Sequence, residues 1–184
     1  NHYDSFLLSG VSGHGVQSFY YPDRAVDNCA ECHMPLLNSE DFGAAINDES
    51  NSLTVHGHQF PAANTAIPFL LGMSKEVNRA HEEMLKDSLR VDIFGIRGGV
   101  DIDAPIVAPI RPEVPSLEPG KIYVLDIVVR SLTVGHLFTE GTADSNQVWL
   151  EVIATQDDEI IGNSGLIDLK DGRLDPMSHF INAY

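Results

Sequence analysis

The sequence contains few cysteines, few basic residues and no long hydrophobic run. Only two cysteines occur among 184 residues, which excludes a zinc site with four cysteine ligands from this chain alone. The 11 lysines and arginines are outnumbered by 27 aspartates and glutamates, and the formal net charge is −16. This charge would repel nucleic-acid phosphates and an anionic membrane surface. No stretch approaches the roughly 20 apolar residues that a membrane-spanning helix needs.

The composition is nevertheless that of a folded protein. Hydrophobic residues make up 43% of the chain, so it can bury a core, and its length fits one or two domains. The acidic charge would steer a basic redox partner toward the surface, although it is explained equally well as a source of solubility.

The two cysteines lie in a five-residue motif, Cys29-Ala30-Glu31-Cys32-His33. This Cys-x-x-Cys-His pattern is typical of haem c attachment, in which both thiols form thioethers with the vinyl groups of one porphyrin. The adjacent His33 then binds the iron from one axial side. The alternative is a structural disulfide or a redox pair. A thioredoxin-like pair would follow a strand and open a helix, whereas the preceding residues 21–28 are polar and turn-like.

The ligand on the other side of the iron is less well defined by the sequence. His58 is the first candidate, because it lies 58 − 33 = 25 residues beyond His33, enough for a loop to wrap around the ring. In an extended chain His56 and His58 point to opposite faces, so one of them can face a haem. His14, among glycines that permit close backbone approach, is the second candidate. Four further histidines and the methionines stay open as alternatives: His2, His56, His81 and His136.

The pattern along the chain predicts an α+β protein in three parts. Residues 1–97 form a loop-rich, haem-c-binding segment with one amphipathic helix at 74–89, where Ser74 is the N-cap, followed by a strand at 89–96. Residues 98–120 contain five prolines and form an extended connector. Residues 121–184 form an immunoglobulin-like β-sandwich, of which we expect only part to be present.

Three segments resemble one family, the bacterial multihaem c-type cytochromes. The first runs from Ser12-Gly13-His14 through Tyr21-Pro22 to Cys29-x-x-Cys32-His33-Met34-Pro35. The second is His56-x-His58-x-Phe60-Pro61-Ala62-Ala63-Asn64-Thr65-Ala66. The third combines Val134-Gly135-His136-x-Phe138-x-x-Gly141-Thr142 with Asp144-Ser145-Asn146-x-Val148-Trp149.

The resemblance implies an exported electron carrier whose irons mostly have two histidine ligands. Such proteins carry several haem motifs, and this sequence has one, so we expect further haems in parts of the polypeptide outside this segment. His2, His14 and His136 would then be available to those haems. We expect this chain to be a processed segment of a longer polypeptide in the periplasm or outside the cell, made as a precursor with an export signal.

These features predict electron transfer rather than catalysis. Two imidazoles would fill both axial positions of the iron, hold it low-spin and leave no site for a substrate. Redox partner proteins or other haem subunits of a larger complex would exchange electrons with it. Two alternatives remain: a five-coordinate haem that binds a small ligand, as in a sensor or peroxidase-like enzyme, and a structural subunit that docks onto an electron-transfer complex.

Overall fold

The computed structural model describes residues 2–14, 25–141, 146–168 and 170–180, in which helices and antiparallel sheets occur together. The predicted α+β class is therefore confirmed. The helices are α1 (His2–Leu8), α2 (Cys29–His33), α3 (Ala66–Leu70) and α4 (Lys75–Leu85). The strands are β1 (Leu36–Asn38), β2 (Ala45–Ile46), β3 (Leu53–His56), β4 (Leu89–Gly98), β5 (Ile106–Val107), β6 (Tyr123–Ser131), β7 (Trp149–Leu150), β8 (Val152–Gln156), β9 (Glu159–Ser164) and β10 (His179–Phe180).

The longest helix of the described residues, α4, is the one that the sequence predicts. Ser74 occupies the N-cap position with extended backbone angles. The helix ends at Leu85, earlier than predicted, because Asp87 adopts a positive φ of 57° and turns the chain into β4. The prediction of a single helix is wrong, since α1, α2 and α3 have only 7, 5 and 5 residues. Segments this short show no helical periodicity in the sequence.

None of the helices in the described ranges has the length and apolar character needed to cross a bilayer.

The main ladder joins β4 to β6 in antiparallel register, from Leu89↔Ser131 to Gly98↔Tyr123, with a bulge between Ile93 and Gly95. Alternating apolar residues predict the strand at 89–96, and a high content of valine and isoleucine predicts the strand at 121–130. A further bond, from Leu132 N to Ser88 O at 2.8 Å, extends the ladder at its open end. The ladder therefore fixes the positions of the residues that precede β4 and follow β6.

The ladder also pairs strands from two different parts of the predicted three-part division. β4 belongs to the predicted segment 1–97 and β6 to the predicted segment 121–184. The connector 98–120 links them and supplies β5, which pairs with the other edge of β4 at Ile96↔Val107. The three-part division itself stays a prediction.

The remaining strands form small antiparallel sheets. β1, β3 and β2 form one, β7 pairs with β10, and β8 pairs with β9. The β8–β9 hairpin turns at Asp157 and Asp158, whose positive φ values of 50° and 65° match the twist of a two-residue hairpin. The immunoglobulin-like sandwich stays a prediction.

The hydrophobic core of the described residues is small. Phe6, Val11 and Ile96 are its buried apolar side chains. Phe6 packs directly on Gly135, where an added Cβ would lie 3.0 Å from the phenyl ring. The N-terminal helix α1 is thereby held against the segment that follows β6, although well over a hundred residues separate them.

Replacing Arg97 tests how much its side-chain bonds stabilise the pairing of β4 with β6. Its Nε lies 3.1 and 3.2 Å from the two carboxylate oxygens of Asp126, and one terminal nitrogen donates to Ile102 O at 2.9 Å. Arg97→Met keeps the aliphatic stem and removes these charge-assisted bonds, so we expect it to lower the free energy of unfolding by about 1 kcal/mol in urea titrations.

The matched control is Arg173→Met. The Arg173 side chain is 85% exposed in its pair with Asp171, and we expect a change within about 0.5 kcal/mol. Equal losses in the two variants would contradict this account of the ladder.

Candidate functional site

The Cys-x-x-Cys-His motif forms helix α2, which is fixed by side-chain caps at its start. Asn28 Oδ1 accepts a hydrogen bond from Ala30 N at 2.9 Å, and Glu31 Oε1 accepts one from Asp27 N at 2.9 Å. These bonds satisfy backbone donors that a helix start otherwise leaves unpaired. Because Cys29 and Cys32 are three positions apart on a helix, their side chains share one face. The two thiols are free, with no disulfide between them.

His33 ends this helix and is oriented by a backbone carbonyl. Its Nδ1 lies 2.9 Å from Pro61 O. A carbonyl oxygen can only accept a hydrogen bond, so Nδ1 carries the proton. The other ring nitrogen, Nε2, is then the one with a lone pair for a metal, an arrangement typical of metal-binding histidines.

The segment carrying Pro61 is braced in turn by a buried histidine. His81, on α4, is 8% exposed, and its Nδ1 lies 2.8 Å from Ala62 O and 2.9 Å from Ala62 N. His81 thus engages the residue next to Pro61, and we interpret it as a structural residue that supports the partner of His33.

His136 faces His33 in the same tautomeric arrangement. Its Nδ1 lies 2.9 Å from Leu137 O, so Nδ1 again carries the proton and Nε2 is left with the lone pair. The two rings are nearly parallel, with an interplanar angle of 10°, and their centroids are 6.2 Å apart. The side chain of His136 is 31% exposed.

This separation fits two imidazoles on opposite sides of one metal ion. A bond from an imidazole nitrogen to a metal is about 2.0–2.1 Å long, so two nitrogens in line across an ion are about 4 Å apart. Each nitrogen lies roughly 1 Å from the centre of its own ring, which places the ring centres about 6 Å apart.

The donor set suits a haem iron better than a bare ion. Within the described ranges, no three His, Cys, Asp or Glu side chains are grouped so that they could hold an ion. A haem iron needs at most two ligands from the protein, because the porphyrin supplies the others.

Both cysteines and both of these histidines line one cavity of about 400 Å³, within the range of cofactor pockets. Its walls come from α1, the segment leading into α2, residues 62–63, the end of α4 and residues 133–141. The apolar lining residues are Phe6, Val11, Val26, Ala62, Ala63, Met84, Leu85, Val134 and Phe138. An apolar wall with a few convergent polar groups is what a flat, largely hydrophobic cofactor requires.

The two histidines preferred from the sequence lie elsewhere. Strand β3 ends at His56, opposite Leu36 of β1, and Gly57 N donates to Pro35 O at 2.9 Å. The chain then leaves the ladder toward solvent, so His58 is exposed and its ring contacts Phe60 edge-on.

His14 is also exposed and does not line the cavity. The geometry therefore gives no support to His58 or His14 as the ligand opposite His33. His56 is exposed as well, with its Nδ1 2.8 Å from Met34 O.

Sequence reasoning did not prefer His136 as the ligand opposite His33, and it left out Glu140. His136 was one of several open alternatives, and the available signal was its Val134-Gly135-His136 segment. Glu140 was not considered at all, and only its position four residues after His136 could have suggested it.

The environment of Cys32 makes its thiol less acidic. Burial raises the pKa of Cys32 most, and the negative charges of Glu31 and of the Cys29 thiolate raise it further. In protein produced without haem, we expect iodoacetamide to alkylate Cys32 slowly at pH 8. The alkylation rate should keep rising as the pH is increased beyond the ordinary thiol pKa. Mass spectrometry of the Cys32 peptide gives the rate.

Glu31→Gln keeps the oxygen that caps the helix and removes the charge. We expect it to speed this alkylation roughly threefold, since burial still disfavours the thiolate. Glu40→Gln, on an exposed loop, serves as the control. Equal rates in the two variants would rule out the proposed charge effect.

In comparisons with known proteins, no family model, curated protein or solved structure matches this chain. Its function is therefore inferred from its own residues and their geometry.

Proposed function

We propose that this chain is a segment of an exported c-type cytochrome and transfers electrons through one covalently attached haem c. Cys29 and Cys32 would hold the haem, and His33 and His136 would bind its iron from opposite sides. The observation that carries the proposal is the pair of parallel imidazoles, 6.2 Å apart, beside the cavity that both thiols line.

Each of these residues has a defined task. The thiols of Cys29 and Cys32 would anchor one edge of the porphyrin, and their shared helix face directs both into the same space. The bonds to Pro61 O and Leu137 O fix the tautomers of His33 and His136 and limit ring rotation. When bound, the haem supplies a one-electron ferric/ferrous couple.

A protein built in this way favours electron transfer over catalysis. With an imidazole on each side of the iron, no position stays open for a substrate. Both rings are held by the backbone, so little rearrangement accompanies a change in oxidation state. Nitrogen ligands and surrounding carboxylates favour the ferric form, and the charge of −16 would attract a basic redox partner.

The wider setting belongs to the same proposal. Haem c is attached outside the cytoplasm, so we place the protein in the periplasm or outside the cell. We further propose that additional haems lie in other parts of a longer polypeptide or complex. The antiparallel pairs β7–β10 and β8–β9 within residues 121–184 support the proposal that these residues contribute to an immunoglobulin-like sandwich.

The assignment of the second axial ligand is tested by replacing it. In the haem-loaded protein we expect a low-spin, six-coordinate spectrum in both oxidation states. His136→Ala should convert the ferrous haem to a high-spin form that binds carbon monoxide, since its sixth position is vacated. Absorbance spectra with and without carbon monoxide measure this change.

His58→Ala and His14→Ala are the matched controls and should leave the spectrum unchanged. Loss of the low-spin spectrum in either control, but not in His136→Ala, would overturn the assignment. Met84 also lines the cavity, so Met84→Leu is included. A low-spin spectrum that depended on Met84 would contradict two-histidine ligation.

A second candidate function is that of a docking subunit in an electron-transfer complex, with the haem in a minor role. The β8–β9 hairpin favours it, because Ile153, Ile160 and Ile161 are 46–65% exposed. The two functions differ in redox behaviour. A haem that the proposed redox partners reduce and reoxidise reversibly indicates a carrier, whereas a haem that exchanges no electrons with them indicates a structural role.

A further inference from the structure

A carboxylate lies beside His136 without being a ligand itself. Glu140 is largely buried, with 16% of its side chain exposed, and it lines the cavity. Its Oε1 accepts hydrogen bonds from His2 Nδ1 at 3.0 Å and from Ser5 Oγ at 3.1 Å. Helix α1 thus fixes the side chain of Glu140, which lies 135 residues after Ser5 in the sequence.

The second oxygen of this carboxylate, Oε2, lies near His136. Glu140 Oε2 is buried without a hydrogen-bond partner among the described residues, and it lies 3.9 Å from His136 Nδ1. A buried polar atom without a hydrogen-bond partner destabilises the folded state, and more so when it is charged. The fold therefore holds this oxygen at an unfavourable position, next to the protonated nitrogen of His136.

Glu140 is ionised at neutral pH. The hydrogen bonds that its Oε1 accepts from His2 Nδ1 and Ser5 Oγ stabilise the carboxylate form. The anionic charge beside His136 is therefore present under ordinary conditions.

We propose that Glu140 is a positioning residue that acts on the iron through His136. Its charge lies near the Nδ1–H edge of the ring, which Leu137 O orients, and increases the electron density on Nε2. A more electron-rich ligand stabilises the ferric state more than the ferrous state. This inference rests on the proposed function, because it needs His136 to be an axial ligand.

The short distance between the Glu140 charge and His136 determines how strongly it affects the ferric/ferrous equilibrium. Two unit charges several ångströms apart still interact appreciably at the effective dielectric constant of about 20 that applies within proteins. Solvent reaches the partly exposed His136 ring and screens part of this interaction. We therefore expect a tenfold change in the ferric/ferrous equilibrium on removal of the charge.

The test is a redox titration of the haem-loaded protein carrying Glu140→Gln, which keeps the shape of the side chain and removes the charge. We expect the equilibrium to shift about tenfold toward the ferrous form, which for a one-electron couple corresponds to about 59 mV. The absorbance spectrum should stay low-spin, and the electron paramagnetic resonance of the ferric form should change because the charge beside the ring is removed.

Two further variants separate charge from structure. Glu140→Asp retains the charge, and its potential should fall between those of the parent protein and Glu140→Gln. Glu159→Gln makes the same charge change on the exposed β8–β9 turn and should leave the potential unaltered. If Glu140→Gln fails to accumulate, Ser5→Ala loosens the same carboxylate and should raise the potential by a smaller amount.

The outcomes distinguish this inference from the proposed function. A low-spin Glu140→Gln protein with the potential of the parent would overturn the role of Glu140 and leave two-histidine ligation intact. A shift of equal size in Glu159→Gln would do the same, since it would show a general charge effect. A parent protein without a low-spin haem would overturn both.

Discussion

The proposed site depends on two imidazole rings that backbone carbonyls hold in fixed orientations. His33 is fixed by Pro61 O and His136 by Leu137 O, each through Nδ1. Both rings thus have a defined tautomer and are held 6.2 Å apart. Free imidazoles would rotate, and the paired geometry would be lost. Every other feature of the cavity positions these two rings or encloses the space between them.

Several distant parts of the chain share this task, which explains the small core. Helix α1 packs Phe6 on Gly135 and ties down Glu140 through Ser5, and His81 braces the residue next to Pro61. Few apolar side chains are buried elsewhere in the described residues. A bound porphyrin would bury the apolar walls of the cavity and add to the hydrophobic stabilisation.

The features that could be predicted from the sequence are local ones. The Cys-x-x-Cys-His motif, helix α4 and the paired strands β4 and β6 each carry their signal within a short window of residues. The pairing of His136 with His33 has no such local signal. His136 lies 136 − 33 = 103 residues away, and the β4–β6 ladder brings it back in a register that no local pattern reveals. His58 was preferred because it was near in sequence, but the end of β3 directs it to solvent. The helices of five to seven residues were missed because they span at most two turns.

The β4–β6 ladder sets which insertions and deletions this chain can tolerate. Its end, at Ser88 and Leu132, lies four residues before His136, and a bulge between Ile93 and Gly95 sets its phase. Lengthening the connector 98–120 adds only loop entropy, about 0.6 kcal/mol per doubling. Removing one residue from either strand would reverse the faces of the residues beyond it. The segment that carries His136 would then start from a shifted ladder end, so its position relative to His33 would change although neither histidine had been altered.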